Sequence, residues 1–325
     1  MFRYGPLLLV LLLACGDDPT PPSPPVPRDA GLADLNARIA ATPDDPALYA
    51  RRAQLYYERD NLVDATTDLE QAVRLDSTPN YAYALADVYL DAGRTEDAGM
   101  VLIRTIRGHP NNPETYLRLG EVQLILQQYQ PAIENLELAQ HLAPKDPEAY
   151  YLLAQVYAES GDTTQALASG REAVRLDPDM ADAFLLLGEL AEGQQDPRAL
   201  DYYDTAVAID PNDVVARHAR AEYFMRQDDL PRAIREYRQL NFIDRQYVTG
   251  NLNAGLLLLQ LDSLPQARAE FNIAVNNDPA NYEAHYYRGY TNALLGDVTA
   301  ARRDYETAIR LAPDFIPARE ALDQL

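Results

Sequence analysis

The chain has 325 residues, with 50 acidic against 28 basic side chains and a formal net charge of −22. This charge argues against binding to nucleic acid, which requires a basic surface, and favours basic partners or cations. The single cysteine excludes a disulfide within the chain, and the four histidines show no metal-binding spacing.

The segment 1–14 has the pattern of a secretory signal peptide. Arg3 gives a positive start, and the apolar run from Leu7 to Leu13 is too short to span a bilayer. The segment Leu12-Leu13-Ala14-Cys15 resembles a bacterial lipobox, which implies cleavage before Cys15 and attachment of acyl chains such as palmitate. Alternatives are an ordinary secretory signal or a buried free thiol. We expect Cys15 to be a lipid anchor in the bacterial outer membrane, on either its periplasmic or its surface-exposed side.

Residues 15–29 are predicted to comprise the lipidated cysteine and a proline-rich tether. Such a segment favours extended polyproline II and acts as a semi-rigid spacer. Gly16, rather than aspartate, follows the cysteine, so a signal for inner-membrane retention is absent. The pair Asp17-Asp18 loosely resembles a surface-export signal, and its alternative interpretation is a solvated linker.

A proline then recurs at a nearly fixed interval through the rest of the chain. These prolines are Pro110, Pro144, Pro178, Pro211, Pro279 and Pro313. All but one of the intervals are equal to within a single position, and the exception is a double interval in which Arg245 stands where the missing proline would be. Such a period indicates one supersecondary unit that repeats and packs on its neighbours. Apolar residues at helical spacing predict two amphipathic helices per period, the second ended by the proline.

The repeat also fixes the positions of large and small residues. After Pro110 these are Tyr116, Leu119, Gly120, Ala132, Leu136 and Ala139, and the same offsets recur after later prolines. On these residues the chain resembles a tetratricopeptide-repeat protein over roughly residues 43–325, with tyrosine or phenylalanine replacing the family's tryptophan. The resemblance implies an all-α, right-handed superhelical solenoid of about eight helix-turn-helix repeats with a C-terminal capping helix.

Within a solenoid expected over residues 30–325, the register gives bounds for each repeat. The predicted repeats are about 46–78, 79–112, 113–146, 147–180, 181–213, 214–247, 248–281 and 282–315, followed by a cap at 316–325. Residues 30–42 are expected to be a remaining second helix, and the repeat at 214–247 matches the pattern least well.

The resemblance implies that the first helix of each repeat lines a concave groove. Groove residues carried over in this way are Tyr57, Tyr83, Asp87, Glu121, Tyr151, Glu189, Glu192, His218, Glu222, Tyr286 and Tyr290, with Leu117, Leu124, Gln155, Leu252 and Leu256 among them. Tyrosine suits a recognition surface because it combines large contact area with a polar group. The alternative is that tyrosines pack between helices, which we favour for Tyr49, Tyr116 and Tyr150.

The expected function is a non-catalytic protein-interaction scaffold or adaptor, tethered to the bacterial envelope, that holds a segment of an envelope protein in the groove. An alternative is binding of a glycan or peptidoglycan by tyrosines and acidic groups of the same groove. We expect no enzymatic activity, cofactor or metal, because the sequence lacks phosphate-loop, serine-hydrolase and dinucleotide motifs. Carboxylate pairs in so acidic a chain are more often solvated faces or helix caps.

The repeat at 214–247 contains seven arginines in an otherwise acidic chain. Arg226, Arg235 and Arg238 are candidates for a second contact patch that would bind an acidic partner or an anionic glycan. The alternative, which we favour, is that these arginines pair with acidic residues of neighbouring repeats.

Overall fold

A computed structural model describes residues 30–325, and this range is entirely helical, with 18 helices and no strand. The predicted signal peptide, Cys15 and the proline-rich tether lie outside the described residues. The described residues divide into two compact units, one that ends at Gly93 and one that comprises Arg94–Leu325. Among the described helices, none has the length and apolar character needed to cross a membrane.

In the first unit, the described part consists of four helices. They are α1 (Ala30–Ala41), α2 (Pro46–Tyr57), α3 (Leu62–Leu75) and α4 (Pro79–Asp91). Helices α2 and α3 form a hairpin, and α1 and α4 pack on either side of it. Leu35, Ile39 and Leu48 form a buried apolar cluster between α1 and α2. This arrangement is one helical hairpin with a helix from each neighbouring repeat.

The second unit contains the remaining fourteen helices among the described residues. They are α5 (Thr95–Gly108), α6 (Pro113–Ile125), α7 (Tyr129–Leu142), α8 (Pro147–Ser160), α9 (Thr163–Leu176), α10 (Ala181–Gly193), α11 (Ala199–Ile209), α12 (Val214–Arg226), α13 (Leu230–Ile243), α14 (Thr249–Gln260), α15 (Leu264–Asn277), α16 (Tyr282–Leu294), α17 (Val298–Leu311) and α18 (Ile316–Asp323). From α6 to α17 they pack as six consecutive hairpins, and α18 packs on α17. The predicted fold class, an all-helical chain of helix-turn-helix repeats with a C-terminal helix, is confirmed.

Local sequence explains where the helices of a hairpin begin and end. Before α8, the Asp146 side chain accepts a hydrogen bond from the Glu148 amide (3.1 Å), and Pro147 occupies the first helical position. Gly161 caps the end of α8 and adopts the left-handed conformation with φ 89°. Asp162 then caps α9 through the Gln165 amide (3.1 Å). Each cap satisfies a backbone group that the helix itself leaves unpaired.

Small residues in the first helix of a hairpin allow the second helix to approach closely. A Cβ atom added at Gly188 would lie 2.8 Å from Cε1 of Tyr203, which is fully buried in the facing helix α11. Gly120 has the same relation to Leu136, and Gly255 to Phe271. The sequence pattern of an apolar residue followed by a small one therefore marks the helix–helix contact of each hairpin.

In the second unit, the first helices of successive hairpins also contact one another. Helix α6 contacts α8, α8 contacts α10, and α10 contacts α12. The first helices from α6 to α12 therefore form a continuous row along this unit. We call the surface of α6, α8, α10, α12, α14 and α16 that carries the predicted groove residues the inner face.

Candidate functional site

Three of the predicted groove residues belong to the first compact unit. Tyr57 is exposed, and its hydroxyl donates a hydrogen bond to Oδ2 of Asp91 (2.6 Å), which raises the pKa of Tyr57 to about 12. Asp87 is half-buried. Tyr83 is only 9% exposed, so it is a core side chain and not the open groove residue that the sequence predicted. Its place on the buried side of α4, between Ala82 and Ala86, accounts for this difference.

The second unit begins the inner face with acidic and aromatic side chains on α6, α8 and α10. Glu121 and Tyr151 are half-buried, and Glu189 is exposed. The Gln155 amide donates a hydrogen bond to the Tyr151 hydroxyl (2.8 Å), one helical turn away on α8. All three predicted groove residues therefore retain some solvent exposure.

An acidic column that the sequence analysis missed runs along the start of the same helices. Glu114, Glu148 and Asp182 are each the second residue of their helix, and one full repeat period separates each from the next. Glu114 forms an ion pair with Arg118 (2.6 Å). The recurrence of an acidic residue at one offset of the repeat was the signal that could have revealed this column.

Glu148 at the centre of this acidic column has a raised pKa of about 7. Its side chain reaches solvent, but surrounding protein removes part of its hydration, and this desolvation is the largest cause. The negative charges of Glu121, Asp146 and Asp182 add to it. Lost hydration, together with the crowding of carboxylates, therefore outweighs the stabilisation that a helix N-terminus normally gives to an acidic residue.

Two acidic residues of α10 also have raised pKa values. Desolvation and the charge of Asp213 raise the pKa of Asp182. Desolvation is also the largest cause of the raised pKa of Glu189, and Arg226 opposes it. Among the described residues, Glu148, Asp182 and Glu189 form no ion pair. The inner face between α8 and α10 is thus strongly acidic, and the cation that acts on Glu189, Arg226, is already paired with Glu192 and Glu222.

Farther along the inner face, the predicted groove residue Glu192 pairs with Arg226, a candidate for the second patch. Arg226 on α12 binds Glu192 on α10 through two hydrogen bonds (2.6 and 2.8 Å), and the Tyr203 hydroxyl donates to the same carboxylate (3.0 Å). Arg226 also contacts Glu222 (3.2 Å). The hydrogen bonds to Glu192 raise the pKa of the Arg226 guanidinium above its ordinary value. Glu192 and Arg226 therefore link two first helices and are not independent binding groups.

His218 is held within the inner face by two polar neighbours. Its Nε2 lies 3.2 Å from Oε1 of Glu222, and the Tyr247 hydroxyl lies 3.1 Å from its Nδ1. The ring also meets the edge of the buried Tyr237, with centroids 5.5 Å apart. His218 is half-buried, and these contacts make it a positioned part of the surface.

The far end of the inner face is apolar. Leu252 is buried and Leu256 half-buried on α14, whereas Tyr290 and Leu294 are exposed on α16. Tyr286 lies within an aromatic cluster and offers less surface than expected. Its ring meets Phe315, Tyr305 and Tyr290, with centroids 5.2, 5.9 and 6.5 Å apart.

The arginine-rich repeat is explained largely by ion pairs within the chain. Arg217 and Arg220 share Glu236 (2.9 and 2.8 Å). Arg238 binds Glu270 in the next repeat (2.7 Å). Of the three candidates for a second patch, Arg226 and Arg238 are thus paired internally, and Arg235 is exposed. The interpretation as intramolecular pairing agrees with these contacts.

Within residues 30–325, no group of three or more histidine, cysteine, aspartate or glutamate side chains is arranged to hold a metal ion. The titratable residues that do meet on the inner face, Glu192, Glu222, Arg226 and His218, are engaged with each other.

Comparison with known proteins identifies the repeats. Two family models, both described as tetratricopeptide repeat, match the chain, one over residues 151–214 and 252–314 and the other over 89–156. Together these matches cover more than half of the sequence. The chain belongs to the tetratricopeptide-repeat family.

Among curated proteins, the chain is similar to parts of much larger ones. It is 31% identical over 180 residues to Protein CTR9 homolog of Arabidopsis thaliana, covering 50% of this chain and 16% of that protein. It is 24% identical over 308 residues to mouse Superkiller complex protein 3, covering 80% and 19%. Mouse Protein O-mannosyl-transferase TMTC1 is 28% identical over 161 residues, with 48% and 17% covered. The chain thus spans less than a fifth of the length of each of these relatives.

Solved structures show the same fold at low sequence identity. The C-terminal part of a tetratricopeptide-repeat protein from Cytophaga hutchinsonii superposes with a TM-score of 0.61 at 16% identity, covering 74% of this chain and 99% of that one. PilF of Pseudomonas aeruginosa gives a TM-score of 0.50 at 17% identity, covering 66% and 97%. At these identities the similarity shows only a shared arrangement of helices.

Proposed function

We propose that this protein is a non-catalytic interaction scaffold that binds a segment of a partner protein on the inner face of residues 94–325. Tetratricopeptide repeats typically act as scaffolds for protein interactions. The observation that carries the proposal is Glu148, which has no ion-pair partner among the described residues and whose pKa of about 7 reflects lost hydration and, next, the charges of neighbouring acids. A bound cationic side chain would relieve this unfavourable charge.

The chemistry of the inner face indicates what kind of segment fits. Glu148, Asp182 and Glu189 suit lysine or arginine side chains, whereas Tyr290 and Leu294 at the other end suit apolar ones. A segment with a basic part and an apolar part would therefore complement the face in one orientation. The net charge of −22 would also speed the approach of a basic partner.

The test is direct binding of synthetic peptides, measured by fluorescence anisotropy. The probe is a peptide with an arginine-rich half and a leucine-rich half, compared with a peptide of equal length and charge in shuffled order. We expect the ordered peptide to bind more tightly, with affinity that falls as salt rises.

A variant pair locates the site. Replacing Glu148→Gln, Asp182→Asn and Glu189→Gln together should weaken peptide binding about tenfold or more, since three charges near a cationic ligand are lost. The matched control, Glu134→Gln, Asp201→Asn and Glu306→Gln together, removes three exposed carboxylates of second helices. Equal binding by both variants would contradict the assignment of the inner face.

We further propose that the scaffold is tethered to a bacterial envelope through lipidated Cys15, in the outer membrane. The support is the lipobox-like segment Leu12-Leu13-Ala14-Cys15. Mass spectrometry of the N-terminal peptide, from protein made in a bacterial host, should show cleavage before Cys15 and added acyl mass. The Cys15→Ala variant should lack both changes and leave the membrane fraction, and an unmodified cysteine in the wild type would reject the tether.

A further inference from the structure

Arg288 on α16 is the centre of a polar triad. Its guanidinium donates two hydrogen bonds to Asp304 on α17 (2.6 and 3.0 Å) and one to Oδ1 of Asn272 on α15 (2.9 Å). The arginine thereby joins its own hairpin to the second helix of the preceding repeat. Its charge is neutralised by the nearly buried Asp304.

The same triad occurs at two other repeats, always with partners sixteen residues before and after the arginine. These triads are Arg52 with Asn36 and Asp68, and Arg220 with Asp204 and Glu236. The triad is thus a recurring structural element. The triads of Arg52 and Arg288 contain the same residue types and therefore differ only in the residues that surround them.

The residue one helical turn after the arginine differs between the three copies. It is Tyr56 after Arg52 and Phe224 after Arg220, but Asn292 after Arg288. Phe224 is buried in an apolar cluster against which Leu200 packs. At the position equivalent to Leu200, the third copy carries Arg268. Two positions that are apolar in the Arg220 copy are therefore polar here.

This replacement is accompanied by a cavity of about 420 Å³ between α15, α16 and α17. Arg268, Asn272, Arg288, Asn292, Arg303 and Asp304 are among the residues that line it. Asn292 and Asp304 are 5% and 6% exposed and form its floor. The cavity shares none of these residues with the inner face.

Hydrogen-bond partners determine which groups remain available in the cavity. Both oxygens of Asp304 accept hydrogen bonds, from Arg288 and from the Asn292 amide (3.1 Å). Asn272 uses its oxygen for Arg288, so its amide group remains as a donor. The guanidinium groups of Arg268 and Arg303 are exposed and make no ion pair among the described residues. The cavity therefore presents donors and two uncompensated positive charges in a strongly acidic protein.

We propose that this cavity binds a phosphate monoester. A phosphate monoester carries close to two negative charges near neutral pH and three acceptor oxygens, which matches two guanidinium groups and an amide donor. A single carboxylate would leave one guanidinium without a counter-charge. The volume lies within the range of small-molecule sites and leaves room for the group to which the phosphate is esterified.

Thermal unfolding and isothermal titration test the proposal with three probes: inorganic phosphate, phosphoserine and glycerol 3-phosphate. Each is compared with sodium chloride at equal ionic strength. Phosphoserine or glycerol 3-phosphate should raise the Tm beyond both the chloride control and inorganic phosphate, since a ligand that binds only the folded state stabilises it. The probe that binds most tightly identifies the source of the phosphate, a phosphorylated amino acid or a glycerophosphate. No effect beyond chloride for all three would overturn the proposal.

Matched variants locate the site. Arg268→Ala with Arg303→Ala should weaken binding about tenfold or more, because two charge-assisted contacts are lost. The control, Arg302→Ala with Arg310→Ala, removes two exposed arginines of α17 outside the cavity lining and should leave binding unchanged. A third variant, Asn292→Phe, recreates the Phe224 arrangement and should abolish binding with both arginines present. Equal loss in the arginine variant and its control would show non-specific anion binding and reject the site.

Discussion

The Tyr116 hydroxyl donates a hydrogen bond to the backbone carbonyl oxygen of Pro110, six residues earlier (3.0 Å). The contact connects the proline that ends one repeat to the first helix of the next. The same relation recurs along the chain in Tyr49–Pro43, Tyr150–Pro144, Arg217–Pro211 and His285–Pro279, at 2.8 to 3.3 Å. In each case the side chain six residues after the proline donates a hydrogen bond to the proline carbonyl oxygen, which no helix would otherwise pair.

Removing the Tyr116 hydroxyl should therefore destabilise the fold without changing its shape. We expect Tyr116→Phe to lower the free energy of unfolding by about 0.5–1.5 kcal/mol, the usual contribution of one such hydrogen bond. Urea denaturation followed by circular dichroism measures the change. Tyr290→Phe is the control, because that ring is exposed on α16. An equal loss in both variants would refute the role of the proline carbonyl.

The tyrosines show how far the sequence could predict structure. The repeat register assigned Tyr49, Tyr116 and Tyr150 to packing because their offset is shared between repeats, and Tyr116 and Tyr49 do pack in apolar clusters. It could not predict the carbonyl acceptor, since spacing alone gives no distance. Tyr286 was expected to be an open groove residue, but Phe315 packs on it. Phe315 stands just before α18, at the offset where earlier repeats carry the helix-capping Asn112 and Asp146, so the register predicted no ring there.

Glu148 makes stability depend on pH in a direction opposite to that of an ordinary ion-paired carboxylate. Its pKa rises from 4.5 to about 7 on folding, so between these values the folded protein retains a proton that the unfolded chain loses. This contribution to stability is full below pH 4.5 and is lost as pH rises through about 7. Glu148→Gln should therefore increase stability at pH 8, by about 1 kcal/mol or less because solvent screens the site.

Chemical denaturation at pH 4 and pH 8 measures this effect. The variant and the wild type should have similar stability at pH 4, where Glu148 is protonated in both states. Glu306→Gln serves as the control, since Glu306 is exposed on the second helix α17. A Glu148→Gln variant that is less stable at pH 8 would contradict the crowding of carboxylates.

Gly255 should tolerate no side chain. A Cβ atom there would lie 2.5 Å from Cε1 of Phe271, whose ring is fully buried in the facing helix. Alanine gains about 1 kcal/mol of helix propensity, but overpacking a rigid core costs about 1–3 kcal/mol. We expect Gly255→Ala to destabilise the protein, as measured by its Tm. Gly193→Ala, where no atom lies within 4 Å, should be neutral or stabilising.

Charged residues show why part of the site escaped prediction. Glu192 and Arg226 are one repeat period apart, so the repeat alone could have indicated that they face each other on adjacent first helices. The partners of Arg220, sixteen residues before and after it, could not be found in this way. That spacing depends on how each helix is rotated about its axis relative to its neighbours. Side-chain packing sets this rotation, and the repeat period does not.

Glu236 neutralises two guanidinium groups at once, so its loss should be among the more damaging polar substitutions. Its Oε2 lies 2.9 Å from Arg217 and 2.8 Å from Arg220, and all three side chains are largely buried. Glu236→Gln keeps the shape but leaves two neighbouring positive charges without their shared counter-charge. Removing one partner of a buried pair costs about 3–5 kcal/mol, and the partial exposure here lowers our expectation to about 2–3 kcal/mol. Urea denaturation of Glu236→Gln should show this loss. The control is Glu172→Gln, which removes an exposed ion pair with Arg175 and should shift the unfolding midpoint far less. Similar midpoints for the two variants would mean that solvent screens the pairs of Glu236 as fully as it screens those at the surface.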